Sequence, residues 1–110
     1  MELANNLTRR NPELDQTELN FAVQRIMDRI IFLRIAEDRG TEAAGQLQEL
    51  ASGSNVYAKL RTLFERADER YNSGLFYFAP EKGRSEQPDS LTPRLTVDDK
   101  TLKDIVLGLY

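Results

Sequence analysis

Cysteine and histidine are both absent from the 110-residue sequence. Without cysteine the chain has no disulfide, no thiol nucleophile and no thiolate zinc site. Without histidine it has no Ser-His or Cys-His pair, and it lacks the side chain best suited to proton transfer near neutral pH. Carboxylates, lysines, tyrosines and hydroxyls are therefore the groups that remain for chemistry.

Long apolar runs are also missing. No run of 18 apolar residues is present that could span a bilayer, and the first 20 residues lack the apolar core of a signal peptide. These two absences predict a soluble, cytoplasmic protein without a membrane partner.

No excess of positive charge is present either. The 15 lysine and arginine residues are outnumbered by 18 aspartate and glutamate residues, and the formal net charge is −3. A freestanding domain that binds nucleic acid by charge is normally basic, because phosphate neutralisation dominates its affinity. The composition disfavours that class of protein, but it is compatible with one part of a larger DNA enzyme.

Helical periodicity is the strongest positive signal in the chain. Asp15 and Glu18 have the spacing of a capping box, and Gly40 is a C-terminal stop, so we predict a long helix from about residue 16 to 39. One apolar stripe runs from Leu19 to Leu33 at spacings of three and four residues. A second apolar face in the C-terminal half predicts that this helix is central and packed on two sides. The second face consists of Met27, Ile31 and Ile35.

Shorter elements are predicted after the long helix. A short helix follows Thr41, a third helix runs from Ser54 or Asn55 to Tyr71, and a last helix starts at Thr96 or Asp98. The tetrapeptide "LFYF" at 75–78 is too short for a helix and indicates an irregular apolar segment.

The remaining segments are polar. We expect residues 1–13 to be a lead-in or linker to a helical domain at 14–110, and residues 79–90 to be a flexible loop. The predicted fold class is all-α: a small bundle of about four helices around a long central helix.

The charged end of the long helix is the first candidate site. "IIFLRIAEDRG" places Arg34, Glu37, Asp38 and Arg39 in the last turns, where the negative end of the helix dipole disfavours acids. Glu37 continues the core stripe, so its carboxylate needs a partner or water. These four side chains form either a local ion-pair cluster or a network that orients a neighbouring domain or a ligand.

The second candidate site is "RYN" in the segment "ERYNSGLF", at the predicted end of the third helix. Arg70, Tyr71 and Asn72 could donate to a phosphate or a partner. The simpler interpretation is that Asn72 or Gly74 ends the helix in a left-handed conformation while the following apolar residues enter the core. We expect these three residues to join the residues at 34–39 in one structural or interface network.

No catalytic, cofactor-binding or metal-binding residue is predicted. Glu37 and Asp38 diverge by about 100° on a helix, whereas nuclease and glycosidase carboxylates converge on a metal or a sugar. Glycine-rich phosphate loops and dinucleotide fingerprints are absent from the sequence. Direct DNA contact through Arg25, Arg29 and the arginines near 61–70 remains an alternative, beside the simpler interpretation of a solvated surface.

Three blocks of the sequence, in order, carry a resemblance to a known family. They are "LNFAVQRIMDRIIFLRIAEDRG", "YAKLRTLFERADERYNSGLF" and "LTPRLTVDDKTLKDIVLGLY". From about Asn11 onward the chain resembles the helical segment between the nuclease region and the methyltransferase core of type IIG restriction-modification enzymes and related large adenine-specific DNA methyltransferases. No block is a catalytic motif, and "RNPE" at 10–13 lacks the second proline and the aromatic residue of the adenine pocket.

The resemblance implies a larger parent polypeptide in a bacterial or archaeal cytoplasm. Such a parent would methylate adenine with S-adenosylmethionine and often cleave DNA with Mg²⁺, so both cofactors are implied for the parent and neither for this chain. This chain would be a non-catalytic connector, with the nuclease and methyltransferase domains as its partners and DNA reached through the parent. The alternative is a freestanding helical protein–protein interaction module whose docking helix is the segment 102–110.

Overall fold

The fold is built from helices. The structure is a computed structural model and describes residues 2–71, 74–78 and 87–110. Within these residues it has no strand, which confirms the predicted all-α class. The helices are α1 (Glu2–Arg10), α2 (Gln16–Asp38), α3 (Gln46–Ala51), α4 (Val56–Tyr71) and α5 (Asp99–Leu107), with a 3-10 turn at Thr92–Arg94.

Helix α2 begins where the capping box predicts. The Asp15 carboxylate accepts from the Glu18 amide at 2.8 Å, and the Glu18 carboxylate accepts from the Asp15 amide at 3.1 Å. Four residues of its first apolar stripe are fully buried, while Leu19 and Val23 are partly buried. Gly40 ends the helix with a φ of +80°, a conformation that glycine adopts without strain. The buried stripe contains Ala22, Ile26, Ile30 and Leu33.

The second face of α2 does not have the predicted burial. Ile31 is 40% exposed and Ile35 is 47% exposed. Helices α1 and α3 and the 3-10 turn pack against α2, and the stripe they cover is the one through Ile26 and Ile30. Met27 of this face does pack against the core, and the neighbouring Phe32 ring lies edge-on to the rings of Tyr71 and Phe76. The prediction of packing on two sides therefore holds for Met27 and Phe32 and is wrong for Ile31 and Ile35.

The N-terminal segment is a helix rather than a lead-in. Leu3 and Leu7 of α1 are fully buried and belong to the same core as α2, α4 and α5. Two leucines four residues apart give even this polar segment one apolar face. The expectation of a frayed linker at 1–13 is corrected accordingly.

The predicted loop at 79–90 is anchored at its end. Residues 79–86 lie outside the described residues, so that part of the prediction has no outcome here. Asp89 is only 8% exposed, and its amide donates to the Tyr77 carbonyl at 2.7 Å. The segment 75–78 is irregular and apolar as predicted, with Phe76 and Tyr77 buried.

Candidate functional site

Glu37 lies at the centre of a polar cluster at the end of α2. Its side chain is buried, with 6% exposure for the residue, so it faces the core as its helical phase predicts. The carboxylate accepts from the amides of Gly45 at 2.8 Å and Leu47 at 3.1 Å. The Tyr110 hydroxyl lies 2.7 Å from each oxygen of the Glu37 carboxylate and donates its hydrogen to that carboxylate. These donors supply the partners that a buried carboxylate requires.

Tyr110 connects the C-terminal end of the described chain to this cluster. The Arg34 guanidinium lies 4.1 Å from the centre of the Tyr110 ring, and Arg34 Nε donates to the Leu109 carbonyl at 3.1 Å. Burial, and then the hydrogen bond to Glu37, raise the pKa of Tyr110 to about 12. Tyr110 thus keeps its proton at neutral pH and acts as a donor. Sequence reasoning missed this contact because Tyr110 is 73 residues from Glu37.

The two remaining predicted residues of this helix end have different surroundings. Asp38 accepts from Arg34 Nη1 at 2.6 Å, as the spacing of four residues predicts, and its side chain is 67% exposed. This hydrogen bond is the main cause that raises the pKa of Arg34. Arg39 is exposed, and its side chain has no hydrogen bond or ion pair to the rest of the described chain. We call Arg34, Glu37, Asp38 and Tyr110 the Glu37 cluster.

Arg70 and Tyr71 belong to a separate group centred on Glu42. Arg70 Nη1 lies 3.3 Å from a Glu42 oxygen, and the Tyr71 hydroxyl donates to the same carboxylate. Burial raises the pKa of Glu42, but hydrogen bonds from Tyr71 and Gln46 outweigh it and leave the pKa below its ordinary value. Asn72 lies outside the described residues. The single network predicted from the sequence is therefore two clusters, which the loop after α2 connects.

Arg29 forms a buried ion pair that the sequence did not indicate. Its Nη1 lies 2.8 Å from Asp89 Oδ2, with 1% and 5% of the two side chains exposed. Arg29 also donates to the Leu75 carbonyl at 2.7 Å and to the Thr92 hydroxyl at 2.9 Å. Its guanidinium lies 4.6 Å from the centre of the Phe78 ring. One arginine therefore ties α2 to the chain on both sides of residues 79–86.

The Arg29–Asp89 pair keeps its charges despite burial. Burial alone would raise the pKa of Asp89. Hydrogen bonds from Thr92 and from Arg29 lower the pKa by more than burial raises it, so the net pKa is below the ordinary value. Burial also lowers the pKa of Arg29, whose ordinary value is so high that the guanidinium stays protonated.

Three arginines of the DNA hypothesis, Arg29, Arg61 and Arg70, have polar partners inside the fold. Arg29 is buried, and Arg61 Nη1 donates to the Pro93 carbonyl at 2.6 Å. Arg25 is partly exposed and lies 5.3 Å from the centre of the Phe21 ring. Arg29 is therefore paired with Asp89 inside the fold, and direct DNA contact through the other arginines of this set stays a prediction.

Acidic side chains do not converge on one point in the described part of the chain. Within it, no group of three or more acidic residues could hold a metal ion. In the same residues, no helix is both long enough and apolar enough to cross a membrane.

Part of this chain is similar to a known restriction enzyme. Over 74 residues the chain is 36% identical to the type II restriction enzyme and methyltransferase RM.Eco57I of Escherichia coli. The aligned region covers 67% of this chain but 7% of that protein, so the chain spans a small part of its relative's length. No protein-family model and no solved structure matches the chain. The similarity supports a relation to type II restriction-modification enzymes, the general class that the sequence blocks resemble.

Proposed function

We propose that this chain is a non-catalytic helical connector in a type IIG-like restriction-modification polypeptide. It packs the nuclease domain against the adenine-specific methyltransferase domain, in the cytoplasm of a bacterium or archaeon. The observation that carries the proposal is the similarity to an enzyme whose name joins restriction and methylation, over a region that is a small share of that enzyme.

The anchoring of both ends of the described chain supports a connecting role. At one end, Arg10 Nε of α1 lies 2.8 Å from the carboxylate of Asp98, which precedes α5. At the other end, Arg34 and Glu37 hold Tyr110. A segment that keeps two neighbouring domains in a fixed relative orientation needs both of its ends fixed to its own core.

We place the chemistry of the parent in its other domains. S-adenosylmethionine and Mg²⁺ would bind there, and DNA would be reached through those domains. This chain would contribute the relative placement of the two catalytic units rather than a reacting group.

A methylation assay tests this proposal. The complete polypeptide and this chain alone are incubated with duplex DNA and labelled S-adenosylmethionine. We expect label transfer by the complete polypeptide and none by the chain alone. A folded complete polypeptide that transfers no label would overturn the proposal, as would transfer by the chain alone.

The alternative is a freestanding interaction module with its docking helix at 102–110. The exposed Leu107 and Tyr110, at 45% and 40%, favour it. Leu102 and Val106 of the same segment are fully buried in this chain's own core, so most of the proposed docking face is already covered. The encoded sequence separates the two proposals: an adenine-pocket motif downstream of Tyr110 supports the connector, and a stop codon there supports the module.

A further inference from the structure

One face of α2 carries exposed apolar side chains. Phe21, Ile31 and Ile35 are 36%, 40% and 47% exposed. At about 100° per residue they fall within a sector of about 80°, and the rise per residue spreads them over about 21 Å. Gln24 and Asp28, which are hydrogen-bonded to each other, lie in the same sector between Phe21 and Ile31, so the exposed apolar surface is continuous only at Ile31 and Ile35. We call Phe21, Ile31 and Ile35 the α2 ridge. It lies on the side of the helix opposite the fully buried stripe through Ile26 and Ile30.

The ridge adjoins the C-terminal end of the described chain. Arg34 lies between Ile31 and Ile35 in the sequence. Its Nε donates to the Leu109 carbonyl, and its guanidinium lies over the Tyr110 ring. A polypeptide that continues beyond Tyr110 therefore starts beside the C-terminal half of the ridge.

We propose that the α2 ridge is the surface on which the domain following Tyr110 packs in the complete polypeptide. The proposal rests on the proposed function, because it requires a longer polypeptide of the kind that the relative represents. The docking surface of that domain would be apolar opposite Ile31 and Ile35. It would place a basic side chain opposite Asp38, whose side chain stays 67% exposed even while it pairs with Arg34.

The area of the ridge favours a covalently linked partner over a second copy of the chain. A stable freestanding dimer buries about 800 Å² on each partner. Three partly exposed side chains provide far less than that. A domain joined at Tyr110 needs a smaller surface, because a short linkage keeps it at an effective concentration of about millimolar.

Photo-crosslinking in the complete polypeptide tests the proposal. The photoreactive amino acid p-benzoylphenylalanine replaces Ile35 in one preparation and Glu65 in another, and mass spectrometry locates the products. Glu65 is an exposed residue of α4 and serves as the matched control. We expect crosslinks from position 35 to residues after Tyr110, with a yield several-fold above that from position 65.

A second variant tests whether the ridge itself makes the contact. Ile31→Asp should lower the crosslinking yield from position 35 several-fold while circular dichroism stays unchanged, because Ile31 is 40% exposed and adds little to the core. Crosslinks to a second copy, crosslinks to residues before Met1, or a yield no higher than that from position 65 would each overturn the proposal.

Methyl transfer by the same preparations separates this proposal from the proposed function. Methyl transfer without the expected crosslink would overturn the docking proposal and leave the connector function standing. The expected crosslink without methyl transfer would overturn the connector function and leave the docking proposal standing.

Discussion

Two buried carboxylates, Glu37 and Asp89, are stabilised by different partners. Glu37 accepts from two backbone amides and a tyrosine hydroxyl. Asp89 accepts from the amides of Leu91 and Thr92 and from the Thr92 hydroxyl, and in addition it pairs with the guanidinium of Arg29. Hydrogen bonds alone can hold a buried charge when enough donors converge on it. Each carboxylate joins α2 to a segment that is distant in sequence, so each should contribute to stability more than the exposed acids do.

The first prediction concerns Glu37. Glu37→Ala leaves the amides of Gly45 and Leu47 without acceptors, so we expect the free energy of unfolding to fall by about 3 kcal/mol. Asp38→Ala, in the same helical turn, should change it by less than about 0.5 kcal/mol because Asp38 is mostly exposed. Urea unfolding followed by circular dichroism measures both variants. Equal losses in the free energy of unfolding for the two variants would contradict the inference that Glu37 is the main acceptor at this end of α2.

The second prediction concerns Asp89 and pH. Asp89→Asn leaves Arg29 charged and buried, and at pH 7 we expect a loss of about 3 to 5 kcal/mol in the free energy of unfolding. The folded-state pKa of Asp89 lies below its ordinary value, so its charged form stabilises the fold above about pH 4. That contribution disappears as the pH falls through the folded-state pKa.

The difference between the original chain and Asp89→Asn should therefore shrink as the pH is lowered from 7 to below 4, in urea unfolding at each pH. Asp104→Asn is the matched control, because Asp104 pairs with Lys100 in an exposed position. The stability of the control should be nearly that of the original chain at pH 7, because water screens an exposed ion pair. A difference for Asp89→Asn that does not depend on pH would contradict this account.

Local spacing decided which residue contacts the sequence could predict. The Arg34–Asp38 pair follows from a separation of four residues on one helix, and the helical phase placed Glu37 inward. Tyr110 and Asp89 were missed because their partners lie 73 and 60 residues away. No local pattern marks such pairs; a single aspartate in a polar segment looks solvated until the fold brings an arginine to it.

At the scale of elements, α1 and α2 show what a sequence pattern can and cannot indicate. Helix α2 has 23 residues and its own capping box, so local energetics specify its start. Helix α1 has nine residues, too few to be stable without tertiary packing. Its helical state depends on burying Leu3 and Leu7 in a core built mainly by later residues, and the sequence pattern was too short to indicate this.

The third prediction tests whether α1 is integral to the fold. Leu7→Ala should lower the free energy of unfolding by about 2 to 5 kcal/mol, because Leu7 is fully buried. Thr8→Ala, at the next and exposed position, should change it by less than about 0.5 kcal/mol. Thermal or urea unfolding measures both. If Leu7→Ala were as mild as Thr8→Ala, α1 would be an appendage.

At the scale of the whole molecule, α2 divides the surface into a covered side and an open side. Its core stripe meets α1, α3 and the 3-10 turn, while the α2 ridge faces outward. Apolar periodicity on two faces of a helix predicts burial on both. In the chain as described, Met27 of the second face packs against the core but Ile31 and Ile35 are exposed. The C-terminal part of the second pattern therefore indicates a surface of the molecule rather than its core.

The fourth prediction follows from the open side. The double variant Ile31→Glu, Ile35→Glu should keep the free energy of unfolding within about 0.5 kcal/mol of the original chain, because neither side chain is in the core. Ile30→Ala, beside Ile31 but fully buried, should lower it by about 2 to 5 kcal/mol. Urea unfolding distinguishes the two. A large loss in the double variant would mean that the ridge stabilises this chain itself.

The bond between Glu37 and Tyr110 also has a kinetic consequence. It closes a segment of 73 residues, and the entropy cost of closure grows with the length enclosed. The capping box of α2 joins residues that are three apart and can form early, so we expect the Glu37–Tyr110 bond to form after the folding transition state. In stopped-flow measurements, Tyr110→Phe should then accelerate unfolding and leave the folding rate nearly unchanged. We thus expect Tyr110 to determine how long its contact with Glu37 persists once formed, and to have little influence on how quickly the bundle assembles.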